Sequence, residues 1–192
     1  MSSPFIHPTA IVDSGAKLAS GVKIWHHTHV CSTASVGKNS KFGQNCYIAG
    51  VVGKYCKIQN NVNIYQGVSL QDYVFCGPSM TFTNDLNPRA GFPKNQQYIS
   101  TQVQDHVSIG AHATIVCGLT LAYASFIGAG AVVTKNTTAF GLYYGNPARH
   151  RGWMCVCGEP MPLKFSQHQC QQCQRTFSQV KNQVTLINNR KK

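Results

Sequence analysis

An apolar residue recurs at every sixth position through most of the first 133 residues, and few folds accommodate such a period. The register runs Ile6, Val12, Leu18, Ile24, Val30, Val36, Phe42 and Ile48. After a slip it resumes at Val52, Ile58, Ile64, Leu70, Cys76 and Phe82, and after a longer interruption at Val103, Ile109, Ile115, Leu121, Ile127 and Val133. With apolar residues at 43% of the chain, such a run arises by chance with a probability of roughly 10⁻⁷, about 10³ higher once the two register shifts are allowed. Helices repeat near 3.6 residues and strands near 2, so a period of six requires a short strand followed by a tight corner. Four residues after most of these sites stands a second small or apolar residue, as at Ala10, Ala16, Val22, Ala34, Cys46, Val62, Val68, Val74, Ala113 and Ala131. The positions between carry corner formers such as Gly37-Lys38-Asn39, Gly43-Gln44-Asn45 and Gln59-Asn60-Asn61. Three flat sides then close a triangular coil, and coils stack at the ~4.8 Å strand spacing. The pattern predicts an all-β chain built as a parallel β-helix of about six to seven coils, each buried by its neighbours.

A chain of 192 residues fits one main domain and a small appendage. Met1-Ser2-Ser3-Pro4 leads directly into the first repeat, and no apolar stretch approaches the ~20 residues of a membrane span. Cys46, Cys56 and Cys76 fall at inward positions, where thiols serve as small core residues. Free core thiols point to a reducing cytoplasm, and no membrane partner is expected. Seventeen basic against five acidic groups give a formal charge of +12. That excess suits anionic partners. Phosphorylated small molecules are favoured over nucleic acid, because the basic residues are scattered and no single-strand stacking platform is evident.

The repeat fails twice. The slip around Ala49-Gly50 reads as a tightened corner. Between Phe82 and Val103, Pro88, Pro93, Gly91 and several amides forbid a coil side, so residues 83–102 form an inserted loop. Loops of this length in compact domains usually serve a function. The expected divisions are a β-helix over 5–150, a cysteine-rich extension over 151–178 and a solvated tail over 179–192. In the extension, Cys155-Val156-Cys157 and Cys170-Gln171-Gln172-Cys173 supply two knuckles, the usual recipe for a zinc-ribbon-like structural zinc site. His168 is an alternative ligand to one of the four cysteines.

The hexapeptide pattern over residues 5–150 resembles the hexapeptide-repeat acyltransferases, which implies a left-handed β-helix. More specifically, Phe75-Cys76-Gly77-Pro78-Ser79-Met80-Thr81-Phe82-Thr83-Asn84 with Asn87-Pro88-Arg89 is similar to the branch that N-acetylates 3-amino sugars attached to UDP or dTDP. Lys57-Ile58-Gln59-Asn60-Asn61-Val62, Ile24-Trp25-His26-His27-Thr28-His29-Val30 and Gly145-Asn146-Pro147-Ala148-Arg149 resemble that branch too. The resemblance implies acetyl-CoA as cosubstrate, a nucleotide-sugar acceptor in surface polysaccharide synthesis, and a homotrimer whose sites lie between subunits. UDP-2-acetamido-3-amino-2,3-dideoxyglucuronate is the first substrate expectation, and a dTDP-3-amino-3,6-dideoxyhexose the alternative.

Asn84 occupies the family's catalytic motif position. The inserted loop contains no histidine, and of the five carboxylates only Asp85 lies on it. An amine with a pKa near 8 is already partly neutral at physiological pH, so it needs orientation more than deprotonation. Asp85, Asn87 and Arg89 on the loop, with Tyr65, Asn60, His26 and His29, are the expected substrate contacts. Lys135, Arg149 and Gly128 are expected against coenzyme A. Two readings compete with this one. The His26, His27 and His29 cluster, with His106 and His112, suggests a metal site of the γ-carbonic-anhydrase kind, and corner histidines bonded to neighbouring coils are the plainer account. A bare β-helix scaffold is the other alternative.

Overall fold

The computed structural model describes residues 2–93 and 98–188, and no helix occurs among them. The expected corner-and-strand unit forms throughout. Strands of two or three residues line three faces of a prism, and every pairing between coils is parallel. The first face stacks Phe5–Ile6, Lys23–Ile24, Lys41–Phe42, Lys57–Ile58, Phe75–Cys76, Ser108–Ile109, Phe126–Ile127 and Gly141–Tyr144. That makes eight rungs, one or two more than the sequence suggests, because Tyr143, which pairs with Ile127 on the eighth rung, lies ten residues after Val133 and so outside the six-residue count. The second face begins at Ile11–Val12 and ends at Val132–Val133, and the third runs from Lys17–Leu18 to Thr120–Leu121.

Burial follows the hexapeptide register because only one residue of each two-residue strand points inward. Ile24, Val30, Phe42, Ile48, Ile64, Ile109 and Ile127 are all 0% exposed, whereas Ile6 in the first coil is 43% exposed. A coil is buried by the coils on either side, and the first has a neighbour on one side only. Buried hydroxyls at inward sites are satisfied between rungs. Thr28 Oγ1 donates to the Gly43 carbonyl at 2.8 Å and accepts from the Cys46 N–H at 3.1 Å.

Register measures both irregularities. Lys23 pairs with Lys41, eighteen residues on, but Lys41 pairs with Lys57, only sixteen on. The missing two residues come from the Ala49-Gly50 corner, where both N–H groups reach the Ile64 carbonyl, at 2.8 and 3.1 Å. A Cβ on Gly50 would sit 2.4 Å from the Val68 carbonyl oxygen, so only glycine fits this tightened corner. Phe75 pairs with Ser108, thirty-three residues on, which makes the insertion fifteen residues. The strand Thr101–Val103 takes the last two residues assigned to the loop. Both irregularities lie between the second and third faces.

After the eighth rung the first-face sheet continues antiparallel through Arg149–Met154 and Pro160–Met161. A separate antiparallel sheet follows, formed by Gln167–Gln169, Thr176–Val180 and Gln183–Asn188. The boundary expected at residue 178 falls inside a strand, and residues 183–188 pair along Thr176–Val180 where a solvated tail was expected. Alternating Val184 and Leu186 turn inward against Phe177, a period-2 signal too short to stand out in the sequence. The expected frayed end at 189–192 lies outside the described residues.

Candidate active site and nucleotide groove

The edge between the second and third faces carries the neck of the inserted loop and a chain of polar and aromatic side chains below it. At the loop neck, the Ile99 N–H donates to the Asn84 carbonyl at 3.0 Å, and Thr83 Oγ1 accepts from the Cys117 N–H at 3.0 Å. The first bond closes the neck and the second ties its outgoing strand to the coil wall, with Asn84 half-buried at its mouth. Asp85 Oδ1 accepts from the Asn87 N–H at 2.9 Å, a local Asx turn that opens the loop. Asp85 is half-buried, while Asn87 and Arg89 are exposed.

Below the neck the same edge descends through Tyr65, whose ring lies 5.9 Å from Tyr47, which in turn meets His29 edge-on at 5.6 Å. His29 Nε2 lies 3.0 Å from Asp13 Oδ1, and Cys31 completes a group with sulfur, imidazole and carboxylate within 4.8 Å of one another. A hydrogen bond with Cys31, desolvation and the Asp13 charge all push the Tyr47 phenol above its ordinary range. Because the shortened corner carries only Ala49 and Gly50, no long side chain separates Tyr65 from the rung of Cys31. The edge therefore joins Asn84, Asp85, Tyr65 and His29. Lys135, exposed after the strand Val132–Val133, stands at the top of the same edge.

The remaining expected contacts fall elsewhere. Arg149 is exposed beside a turn that caps the second face, with the Ala148 N–H donating to the Val132 carbonyl at 2.8 Å. Gly128 lies under Tyr144, where a Cβ would come within 2.9 Å of the tyrosine Cβ, so its smallness serves packing. Asn60 and His26 occupy the corner between the first and second faces. Asn60 Oδ1 accepts from the Gln44 N–H at 3.0 Å, a rung-to-rung bond. His26 stacks on His7, with centroids 3.6 Å apart.

The histidines do not converge within the chain. His106 is stacked on Tyr73 at 4.8 Å at the corner between the third and first faces, far round the prism from His29. Among the described residues, the two clusters with metal-ligand potential are the cysteine tetrad and Asp13, His29 and Cys31.

The first face shows a feature that sequence reading missed. Lys23, Lys41 and Lys57 are in register on consecutive rungs and all point outward. Neighbouring ammonium groups at rung spacing repel by roughly 1 kcal/mol or less per pair in water. Among the described residues the ion pairs are His29–Asp13 and Lys54–Asp72, so no carboxylate neutralises this column. Grooves open on both its flanks. One of about 550 Å³ lies towards Trp25, His26, Gln44 and Asn60, and one of about 600 Å³ lies against the stacked rings of Tyr55 and Tyr73, 5.1 Å apart. Flat rings beside an uncompensated cationic ladder suit a nucleotide, with its base on a ring and its phosphates on the lysines.

In the extension, Cys155, Cys157, Cys170 and Cys173 bring four sulfurs within 4.8 Å of one another. His168 is not in this group. Its ring packs near Phe165, at 5.6 Å, so the four thiols alone form the set.

Comparison with known proteins decides the family. Residues 33–66 match the family described as "Hexapeptide repeat of succinyl-transferase". The dTDP-3-amino-3,6-dideoxy-alpha-D-galactopyranose 3-N-acetyltransferase of Aneurinibacillus thermoaerophilus is 35% identical over 168 residues, covering 87% of each protein. The chain belongs to the hexapeptide-repeat acyltransferases. Two solved structures share its fold. A hexapeptide-repeat acetyltransferase from Vibrio cholerae, complexed with acetyl-coenzyme A, has a TM-score of 0.51 at 24% identity over 61% of this chain and 69% of that one. An N-acyltransferase from Bacillus cereus, complexed with dTDP and coenzyme A, has a TM-score of 0.50 at 15% identity over 77% and 79%. For this acyltransferase the lysine column was legible in principle, since each lysine immediately precedes an inward residue at coil spacing. The Asp13–His29–Cys31 group was not, because it requires knowing that two successive coils share one edge.

Proposed function

We propose that this acyltransferase moves the acetyl group of acetyl-CoA to the amino group of a nucleotide-linked 3-amino sugar, as a homotrimer with sites between neighbouring copies. The observation that carries the reading is the 35% identity across 87% of a dTDP-3-amino-sugar N-acetyltransferase. It favours a dTDP-3-amino-3,6-dideoxyhexose over the UDP-linked glucuronate first expected. The uncompensated column of Lys23, Lys41 and Lys57 supports a diphosphate-bearing substrate of either kind.

In the proposed step the neutral amine attacks the thioester carbonyl. The tetrahedral oxyanion forms, the C–S bond breaks, and the coenzyme A thiolate leaves with the proton that the amine sheds. Asn84, held at the loop neck by its backbone, accepts a hydrogen bond from the amine and aims the nitrogen lone pair at the carbonyl. Backbone N–H groups of the coil wall are the available oxyanion donors. No side-chain base is required. The zinc ion predicted by the cysteine spacing has no part in this step, because the tetrad belongs to the C-terminal extension.

Release of free coenzyme A in the presence of acetyl-CoA and a panel of amino-sugar nucleotides tests the reading. Turnover should be highest with a dTDP-3-amino sugar. Asn84→Ala should lower kcat/KM by on the order of 10²-fold with an unchanged melting temperature. The rate should rise with pH along one limb set by the substrate amine near 8. Faster turnover of a hydroxyl acceptor than of any amine, lost in His29→Gln, would instead make His29, oriented by Asp13, the base for that acceptor.

A further inference from the structure

The two ends of the solenoid differ. At the N-terminal end the inward residues of the first coil stay incompletely covered, Ile6 exposed and Val12 and Leu18 half-buried, whereas the C-terminal end is covered. There Ala124 and Phe140 of the last coils are buried in one cluster with Trp153, Cys155, Met161, Cys170, Phe177 and Val184 of the extension. Phe140 meets Tyr123 edge-on at 5.4 Å and Phe177 at 5.3 Å, so the aromatic ladder of the solenoid runs on into the extension. The Met154 N–H donates to the Phe140 carbonyl at 2.7 Å, which stitches the backbone across the same junction.

The extension is short, and its one buried cluster is shared with the last coils. Units below about 40 residues rarely fold on a hydrophobic core alone and usually carry a staple. The four cysteines stand where such a staple would act. Cys155 and Cys170 are buried within the junction cluster, Cys173 is half-buried, and Cys157 is exposed. Cys155 Sγ lies 3.4 Å from Cys173 Sγ, and Cys157 Sγ lies 3.6 Å from Cys170 Sγ. Four sulfurs bound to one zinc ion at about 2.3 Å stand about 3.8 Å apart at the tetrahedral angle, close to this arrangement. Each knuckle is closed by a backbone bond. The Gly158 N–H donates to the Cys155 carbonyl and the Gln174 N–H to the Cys170 carbonyl, both at 2.9 Å. Gly158, at φ +93°, and Gln174, at φ +60°, take the left-handed turn that each knuckle needs. The Arg175 guanidinium beside Cys173 would offset part of the double negative charge of a zinc–tetrathiolate centre.

We propose that Cys155, Cys157, Cys170 and Cys173 bind one zinc ion as a closed tetrathiolate site, and that this ion latches the extension onto the last coil as an end cap. Binding releases the thiol protons to solvent. All four ligands come from the chain, so no position is left open for water or substrate and the ion is structural. The inference does not depend on the acetyl-transfer reading, since metal content and cap docking are measured without any substrate.

The test uses the full-length protein purified under reducing conditions. Elemental analysis should find one zinc per chain, and cobalt reconstitution of the metal-stripped protein should give the sulfur-to-cobalt charge-transfer bands of a four-thiolate site. Chelation should lower the melting temperature by on the order of 10 °C. It should also open residues 155–188 to limited proteolysis while the coils resist, and added zinc should reverse both effects. Cys157→Ser, at the most exposed ligand, should abolish stoichiometric binding. If that variant is insoluble, stripping and reconstituting the unaltered protein carries the same two readouts. A reduced protein that binds neither zinc nor cobalt overturns the site. Metal whose removal changes neither melting nor cleavage overturns the latch.

Discussion

The solenoid and its C-terminal extension solve the same problem, closing a core, by opposite means. In the solenoid each side of a coil contributes one large and one small inward residue, and burial comes from similar neighbours above and below. Its stability is spread over many equivalent contacts, with no inward residue irreplaceable in kind. The extension has no repeat. Its core is a few aromatic and sulfur side chains shared with the last coil, so it depends on particular residues and on the surface it covers. Repetition tolerates variation in sequence but is intolerant of volume at the corners. A cap tolerates its own irregular shape but not the loss of its anchors.

The sharpest way to break this comparison is to open one cavity in each region. Phe82→Ala, in a fully buried rung below the inserted loop, should cost about 3–5 kcal/mol and lower the melting temperature of the whole chain. Trp153→Ala, at the junction, should release the extension while coil amides keep their protection from hydrogen exchange. A single global transition in both variants would erase the distinction. Corner intolerance comes next. A Cβ on Gly37 would lie 2.5 Å from the backbone carbon of Gly53 on the next rung, so Gly37→Ala should cost about 1–3 kcal/mol in denaturant titrations.

A smaller effect separates stability from binding on the solenoid. Lys41→Gln removes the middle charge of the column and should leave the melting temperature unchanged or slightly raised. It should raise the KM for the nucleotide substrate about threefold to tenfold, with a weaker dependence on salt. An unchanged KM would mean that the column has another anion. The smallest effect is chemical. Burial pushes the Cys56 thiol up to about 11, so its thiolate fraction at pH 8 is about 10⁻³ and grows tenfold for each pH unit up to that value. Cys56 should therefore resist alkylation at pH 8, while Cys157 becomes reactive once the extension is stripped of metal.

Much of the fold was legible because its determinants are local and repeated. Ile24, Phe42, Ile58 and Ile109 are inward since a two-residue strand has only one inward position, and Ala49-Gly50 is a tight corner since two residues are missing from the count. The loop neck and Asn84 followed from the break in register and from the motif that surrounds it. The site around them was only half legible. Tyr65 and His29 share the edge of Asn84, but Asn60 is engaged in a rung-to-rung bond on another corner, and His26 lies with it. Gly128 serves close packing under Tyr144. Asp13, Cys31 and Tyr47 went unread because they come from three different coils. Residues 183–188 were taken for a tail because two apolar positions in alternation give too short a signal, and pairing with Thr176–Val180 is what makes them a strand.

By itself the sequence determined the coil, its three inward-facing sides and the places where the repeat fails, because a six-residue period leaves the backbone few other ways to bury its apolar residues. Tertiary structure alone decided which corners stack into a shared edge. The two-residue deletion and the fifteen-residue insertion each change the spacing between coils, so distance along the chain no longer tells which side chains meet. It also decided that the cysteines cap an exposed end, since that depends on which surface the last coil leaves uncovered.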